Sequence, residues 1–113
     1  MKGRKRLLHR YDIPLSCLRL AEAIIEDYPR RKRVIQYTAT ESELVLENYR
    51  RINGIIDEVV SGFDPGLSKV IFTDIIARKG YSHSLAQDFT SKNTYYTHRK
   101  KMIIDICERL NIL

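Results

Sequence analysis

The densest run of groups able to do chemistry is Ser91-Lys92-Asn93-Thr94-Tyr95-Tyr96-Thr97-His98-Arg99-Lys100-Lys101, which carries four cations and no carboxylate. Nothing in it pairs a nucleophile with a base. Its groups suit an anionic surface rich in hydrogen-bonding edges instead. Asparagine can pair with N6 and N7 of adenine, and lysine with O6 and N7 of guanine. Serine, threonine, arginine and lysine suit phosphate oxygens. Ser91 is placed to cap a helix, whose N-terminus would add its own N–H groups and dipole. The expectation is that Lys92, Asn93, Tyr96 and Thr97 read bases, while Ser91, Thr94, Arg99, Lys100 and Lys101 hold phosphates. A polar start followed by His98-Arg99-Lys100-Lys101 is also what an ordinary solvated helix face looks like. Tyr95 and Tyr96 discriminate: helix neighbours lie about 100° apart, so one should enter the core and the other face outward.

Other reactive residues form no such set. His9, His83 and His98 are scattered. There is no H-E-x-x-H, no cysteine pair spaced for zinc and no glycine-rich phosphate loop. Asp74, Asp88 and Asp105 fall on separate faces or segments. Cys17 and Cys107 each sit in an apolar helical pattern, as buried thiols in a reducing compartment do. Catalysis, a metal and a cofactor are therefore not expected.

The elements that must carry these residues read as helices. Pro14 opens a candidate helix running through LSCLRLAEAIIEDY, which Pro29 ends. The segment Arg30-Arg31-Lys32-Arg33 then reads as an exposed basic connector, and 34–38 as a short extended piece with nothing to pair. Thr40 and Glu43 form a capping box ahead of an apolar seam, Val45, Tyr49, Ile52, Ile56 and Val59, with Gly62 as its stop. Asn53-Gly54 weakens that helix by roughly 1 kcal/mol against Ala. Phe63-Asp64-Pro65-Gly66 is a turn. A third helix covers about 67–79, with Gly80 as its C-cap. A short fourth helix covers 82–89, and a last helix runs from Ser91 to about Leu110, burying Tyr95, the Arg99 stem, Met102, Ile103, Ile106 and Leu110. Leu85, Phe89 and Tyr95 are expected to form a small core around Ala86. The fold class is all-α: a small helical domain of about five helices with a C-terminal helix-turn-helix, divided into a basic arm (1–10), a helical region (11–66) and the helix-turn-helix region (67–113).

Charge agrees with that division. The 113 residues carry a net +6, distributed as +6 over 1–33, −4 over 34–66 and +4 over 67–113. Basic ends around an acidic middle imply a polyanionic partner for the ends. The arm residues Lys2, Arg4, Lys5, Arg6 and Arg10 could track phosphates or enter a minor groove; an unstructured terminus explains them equally well. No run approaches the ~18 apolar residues of a membrane span, and no apolar stretch follows the charged start as in a secretory signal. The expected location is the cytoplasm of a bacterial host cell, at the nucleoid.

Together these readings point to a double-stranded DNA partner. The run 91–101 also resembles part of the ArpU/RinA-type family of phage late transcription regulators, whose last segment looks like sigma factor region 4. Ser91, Tyr95, Tyr96, Arg99, Lys100 and Lys101 match the family's S-x-x-x-Y-Y-x-x-K-K-K-like helix. The resemblance covers about 67–113, and 11–66 only in helical layout. It implies a regulator, usually an activator, of late genes in a phage or prophage of a Gram-positive bacterium. The interval from Ala86 to Ser91 is one residue shorter than usual, so either the turn is tighter or the register shifts by one. Two other functions fit the same residues. A phage terminase small subunit also joins a helix-turn-helix to an oligomerising helix, here the 40–60 seam, which equally suits a homodimer. An adaptor acting on RNA polymerase would dock through Glu41, Glu43, Glu47, Asp57 and Glu58, although such acids also decorate ordinary solvated faces.

Overall fold

Pro14 precedes α1 (Leu15–Glu26), and Cys17 and Leu18 donate their N–H groups back to its carbonyl. In this computed structural model, which describes residues 13–37, 42–62 and 64–112, four more helices follow. They are α2 (Tyr28–Tyr37), α3 (Glu43–Gly62), α4 (Pro65–Ile76) and α5 (Lys92–Arg109). Two short 3-10 turns, Tyr81–His83 and Leu85–Asp88, lie between α4 and α5. No strand occurs among the described residues, so the fold is all-α. The basic arm, Thr40 and Phe63 lie outside the described residues.

Pro29 ends α1 as expected, yet the chain does not leave helical geometry. Proline lacks the N–H that an α1 carbonyl needs, which breaks the ladder. Its fixed φ suits a helix's first turn, however, and α2 begins one residue earlier. The basic run 30–33 and the segment 34–37 are therefore helical, neither connector nor extended. Arg31 is buried at the joint. Its guanidinium donates to the Ile24 carbonyl (2.6 Å), to Asn53 Oδ1 (2.7 Å) and to Asp27 Oδ2 (3.4 Å). It thus satisfies one of the carbonyls that α1 leaves unpaired at its end. Asn53, which composition alone reads as a weak point of α3, is buried there and donates to the Tyr28 carbonyl (3.3 Å). Tyr28 adds an O–H bond to Asp57 (2.6 Å) and an edge-on contact with Phe72. Burial, and then the Asp57 carboxylate, push its phenol up to about 12.

At the start of α3 it is Ser42 whose hydroxyl accepts the Val45 N–H (3.2 Å). The α3 seam enters the core through Ile56 and Val59, with Ile52 packed beside them. Pro65 opens α4 two residues before the expected start, and the Asp64 carboxylate caps it from Leu67 N–H (3.3 Å). At its other end Gly80 is not the cap. Arg78 takes the left-handed conformation (φ 58°), and the bonds Arg78 N–H to Ile75 and Lys79 N–H to Asp74 complete a Schellman turn.

The core joins Ala21 and Ile25 of α1, Ile56 and Val59 of α3, Leu67, Ile71 and Ile75 of α4, and Tyr95, Met102, Ile103, Ile106 and Cys107 of α5. Both thiols are free; Cys107 is buried and Cys17 half-buried. α4 and α5 run antiparallel, since Ser68 meets His98 while Asp74 meets Tyr95. This arrangement leaves the first turn of α5 at the surface.

The Ser68–His98 contact (2.8 Å) carries a pH dependence. Burial holds the His98 imidazole below its ordinary 6.5; Asp64 opposes this and Lys101 adds to it. The unfolded chain therefore binds a proton that the fold resists. Stability should be whole above about pH 6.5 and decline as pH falls through the lowered folded value. Urea midpoints between pH 7.5 and 5 should show the decline. His98→Gln should flatten it, and an unchanged slope in that variant would remove His98 as the cause.

Candidate nucleic-acid interface

Ser91 begins α5 in the way its type predicts. Its backbone is extended, and its Oγ accepts the Thr94 N–H (3.2 Å) while donating to Thr94 Oγ1 (3.0 Å). Lys92, Asn93, Thr94 and Thr97 follow as exposed side chains on the opening turns. The tyrosines divide as the 100° rule requires: Tyr95 has no exposed surface and Tyr96 is 42% exposed.

Tyr95 is what fixes the helix start. Its hydroxyl donates to the buried Asp74 carboxylate (2.6 Å) and accepts from Arg99 Nη1 (3.0 Å). Burial, followed by the Asp74 hydrogen bond, pushes the phenol up to about 12, so it remains protonated. Arg99 also donates to the Lys79 carbonyl (2.7 Å) and faces Glu22 (3.7 Å). The Arg99 guanidinium, expected to hold phosphate, ties α5 to α1 and to the end of α4, and only 15% of the side chain reaches solvent.

Tyr96 is also partly engaged. Its hydroxyl accepts the Tyr81 N–H (3.0 Å), and its ring sits edge-on to Tyr95 at 5.0 Å. Gly80 makes room for it, since a Cβ there would lie 2.7 Å from the hydroxyl oxygen. Gly80 thus permits this close approach and does not serve as the helix cap. Lys100 and Lys101 are exposed beyond the first turns.

The segment before α5 departs furthest from expectation. Residues 82–89 do not form an α-helix. The Ser84 hydroxyl accepts the Ala86 N–H (2.9 Å), a local bond that competes with helix formation, and eight residues are too few to nucleate a helix unaided. Leu85 and Phe89 do not close a core with Tyr95; they are 74% and 57% exposed. Ala86 is buried, as is Ser84, and Tyr81 replaces the missing pair, lying 5.3 Å from Tyr95 ring to ring. Tyr81 also holds the segment together. Its hydroxyl donates to the Thr90 carbonyl (2.6 Å), and its own carbonyl accepts from Gln87 Nε2 (2.8 Å). Sequence reasoning missed Tyr81 and Gln87, because no periodicity marks a side chain that braces a non-helical loop.

Among the described residues no cluster of His, Cys, Asp or Glu could hold a metal ion, and no helix is long and apolar enough to cross a membrane. The site is therefore an exposed, basic, hydrogen-bonding helix start on an all-α scaffold. No family model, curated protein or solved structure matches this chain.

Proposed function

We propose that this protein binds double-stranded DNA in a sequence-dependent way, reading the major groove with the opening turns of α5, and that it regulates transcription. The observation that carries this reading is the split at the α5 start. Tyr95 is anchored in the core by Asp74 and Arg99, while Lys92, Asn93 and Thr97 project outward from the same turns. An α-helix end fits a groove about 12 Å wide, and readout needs exposed polar groups on a rigid base. Thr94, Lys100 and Lys101 supply flanking phosphate contacts, with the helix N-terminus behind Ser91. The match of Ser91, Tyr95, Tyr96, Arg99, Lys100 and Lys101 to the sigma-like segment of phage late regulators supports late genes of a phage or prophage as the target. Such a regulator would act in the bacterial cytoplasm, at the nucleoid.

Selection of bound duplexes from a random pool tests the reading. Wild type should enrich a defined motif. Asn93→Ala should keep its fold and lose preference at one position, by about 1–3 kcal/mol for a bidentate base contact. Lys101→Glu should weaken binding to all sequences alike, as expected for a group facing phosphate. Failure to retain any duplex, or enrichment of the same motif at the same strength by Asn93→Ala, would overturn the assignment.

A further inference from the structure

A depression of about 720 Å³ opens between α1, the C-terminal turn of α4 and α5. Its floor is apolar, from Leu18, Ile75 and Ile103, and its rim is charged. Arg19, Arg78, Lys79, Arg99 and Lys100 line it against only two carboxylates, Glu22 and Glu26. Both acids are already engaged, Glu26 by Arg78 (3.0 Å) and Glu22 by Arg99 (3.7 Å). Arg19 and Lys79 are exposed and make no ion pair among the described residues. Tyr96 reaches the same wall. Because its hydroxyl oxygen already accepts the Tyr81 N–H, its own proton is left to donate, and such chains strengthen the outward bond.

The position of the depression matters as much as its charge. At 1.5 Å per residue, Tyr96 lies about 6 Å and Lys100 about 12 Å along the α5 axis from Lys92. The latter distance is comparable to the width of a major groove. Lys92, Tyr96 and Lys100 are four residues apart and share one side of α5, the side on which the depression opens, so a sugar–phosphate rim of a duplex seated on the opening turns would pass along it. A shallow, open surface with fixed cations suits a polyanion that passes across it, and not a small ligand that must be enclosed.

We propose that this depression seats one backbone strand of the bound duplex, with Arg19 of α1 and Lys79 after α4 as phosphate ligands beside Lys100 and the Tyr96 hydroxyl. The inference rests on the DNA reading of α5 and extends it to Arg19 and Lys79, which lie outside the opening turns of that helix. Binding of a mixed-sequence 20-base-pair duplex, followed by fluorescence anisotropy across a salt series, tests it. Arg19→Ala/Lys79→Ala should melt like wild type and reduce the slope of log affinity against log salt by about 1.8, the loss of two phosphates. Lys32→Ala/Arg33→Ala, which removes two exposed cations of α2, should leave the slope unchanged. A wild-type slope in the first variant, or an equal loss in the second, overturns the backbone seat while leaving the α5 reading intact. Absence of duplex binding by wild type overturns both.

Discussion

Tyr95→Ala should unfold the domain at temperatures where wild type is intact. The side chain has no exposed surface and touches α4, α5 and the Tyr81 ring. Truncating a buried aromatic residue costs about 3–5 kcal/mol, against a total stability of about 5–15 kcal/mol for a domain of this kind. The loss should exceed simple cavity formation, because the Asp74 carboxylate is left buried without its 2.6 Å donor and Arg99 loses one of its acceptors. Tyr95→Phe separates the two contributions. It keeps the ring and removes only the hydroxyl, so about 1–3 kcal/mol should be lost for the buried acceptor alone. Urea denaturation of both variants provides the measurement. If Tyr95→Phe stayed within about 0.5 kcal/mol of wild type, an ordinary surface-substitution effect, the Asp74–Tyr95–Arg99 chain could not be what anchors α5. Because the same residue sets the position of the opening turn, Tyr95→Phe should also weaken the proposed duplex binding when measured well below its unfolding midpoint.

The second large effect is expected at Arg31. Arg31→Ala removes a buried guanidinium that bridges α1, α2 and α3, leaving the Ile24 carbonyl and Asn53 Oδ1 without their donors. Breaking a buried charged network by deleting one member costs about 3–5 kcal/mol. The paired replacement Arg31→Met/Asn53→Leu should recover part of that loss. Apolar side chains of similar size avoid the desolvation that a lone polar partner suffers, and contacting sites are not additive. The Ile24 carbonyl remains unpaired in both variants, so recovery should be incomplete. A double variant no more stable than Arg31→Ala would show that the guanidinium acts mainly through Ile24. Acidification offers an independent view of this joint. Arg30, bonded to Asp27 through both carboxylate oxygens, holds the Asp27 carboxyl below its ordinary value. That contribution is present above about pH 4 and is lost as pH falls further.

The two networks show where sequence reasoning reached and where it stopped. The α5 stripe of Tyr95, Met102, Ile103 and Ile106 was legible because a long helix repeats its buried positions every three or four residues. The Ser91 cap was legible because its bond is local. The helix over 28–37 was not legible. Its run of arginines looks like a solvated connector unless one knows that α1 and α3 offer Arg31 a carbonyl and an amide at the right distance. The 82–89 segment failed for a related reason. Leu85 and Phe89 have helical spacing, but the Ser84 bond to Ala86 redirects the backbone, and Tyr81, without periodic neighbours, takes the place expected of them.

The sequence alone determined the all-α class, the start of the last helix and the basic, hydrogen-bonding character of its exposed face, since each follows from local spacing, capping and charge. Tertiary structure alone decided that the Arg99 guanidinium meets Lys79 and Glu22, that Gly80 yields space to Tyr96 and that Arg19 and Lys79 share one depression. Those outcomes depend on which distant groups meet across packed helices, and no local pattern encodes such distances.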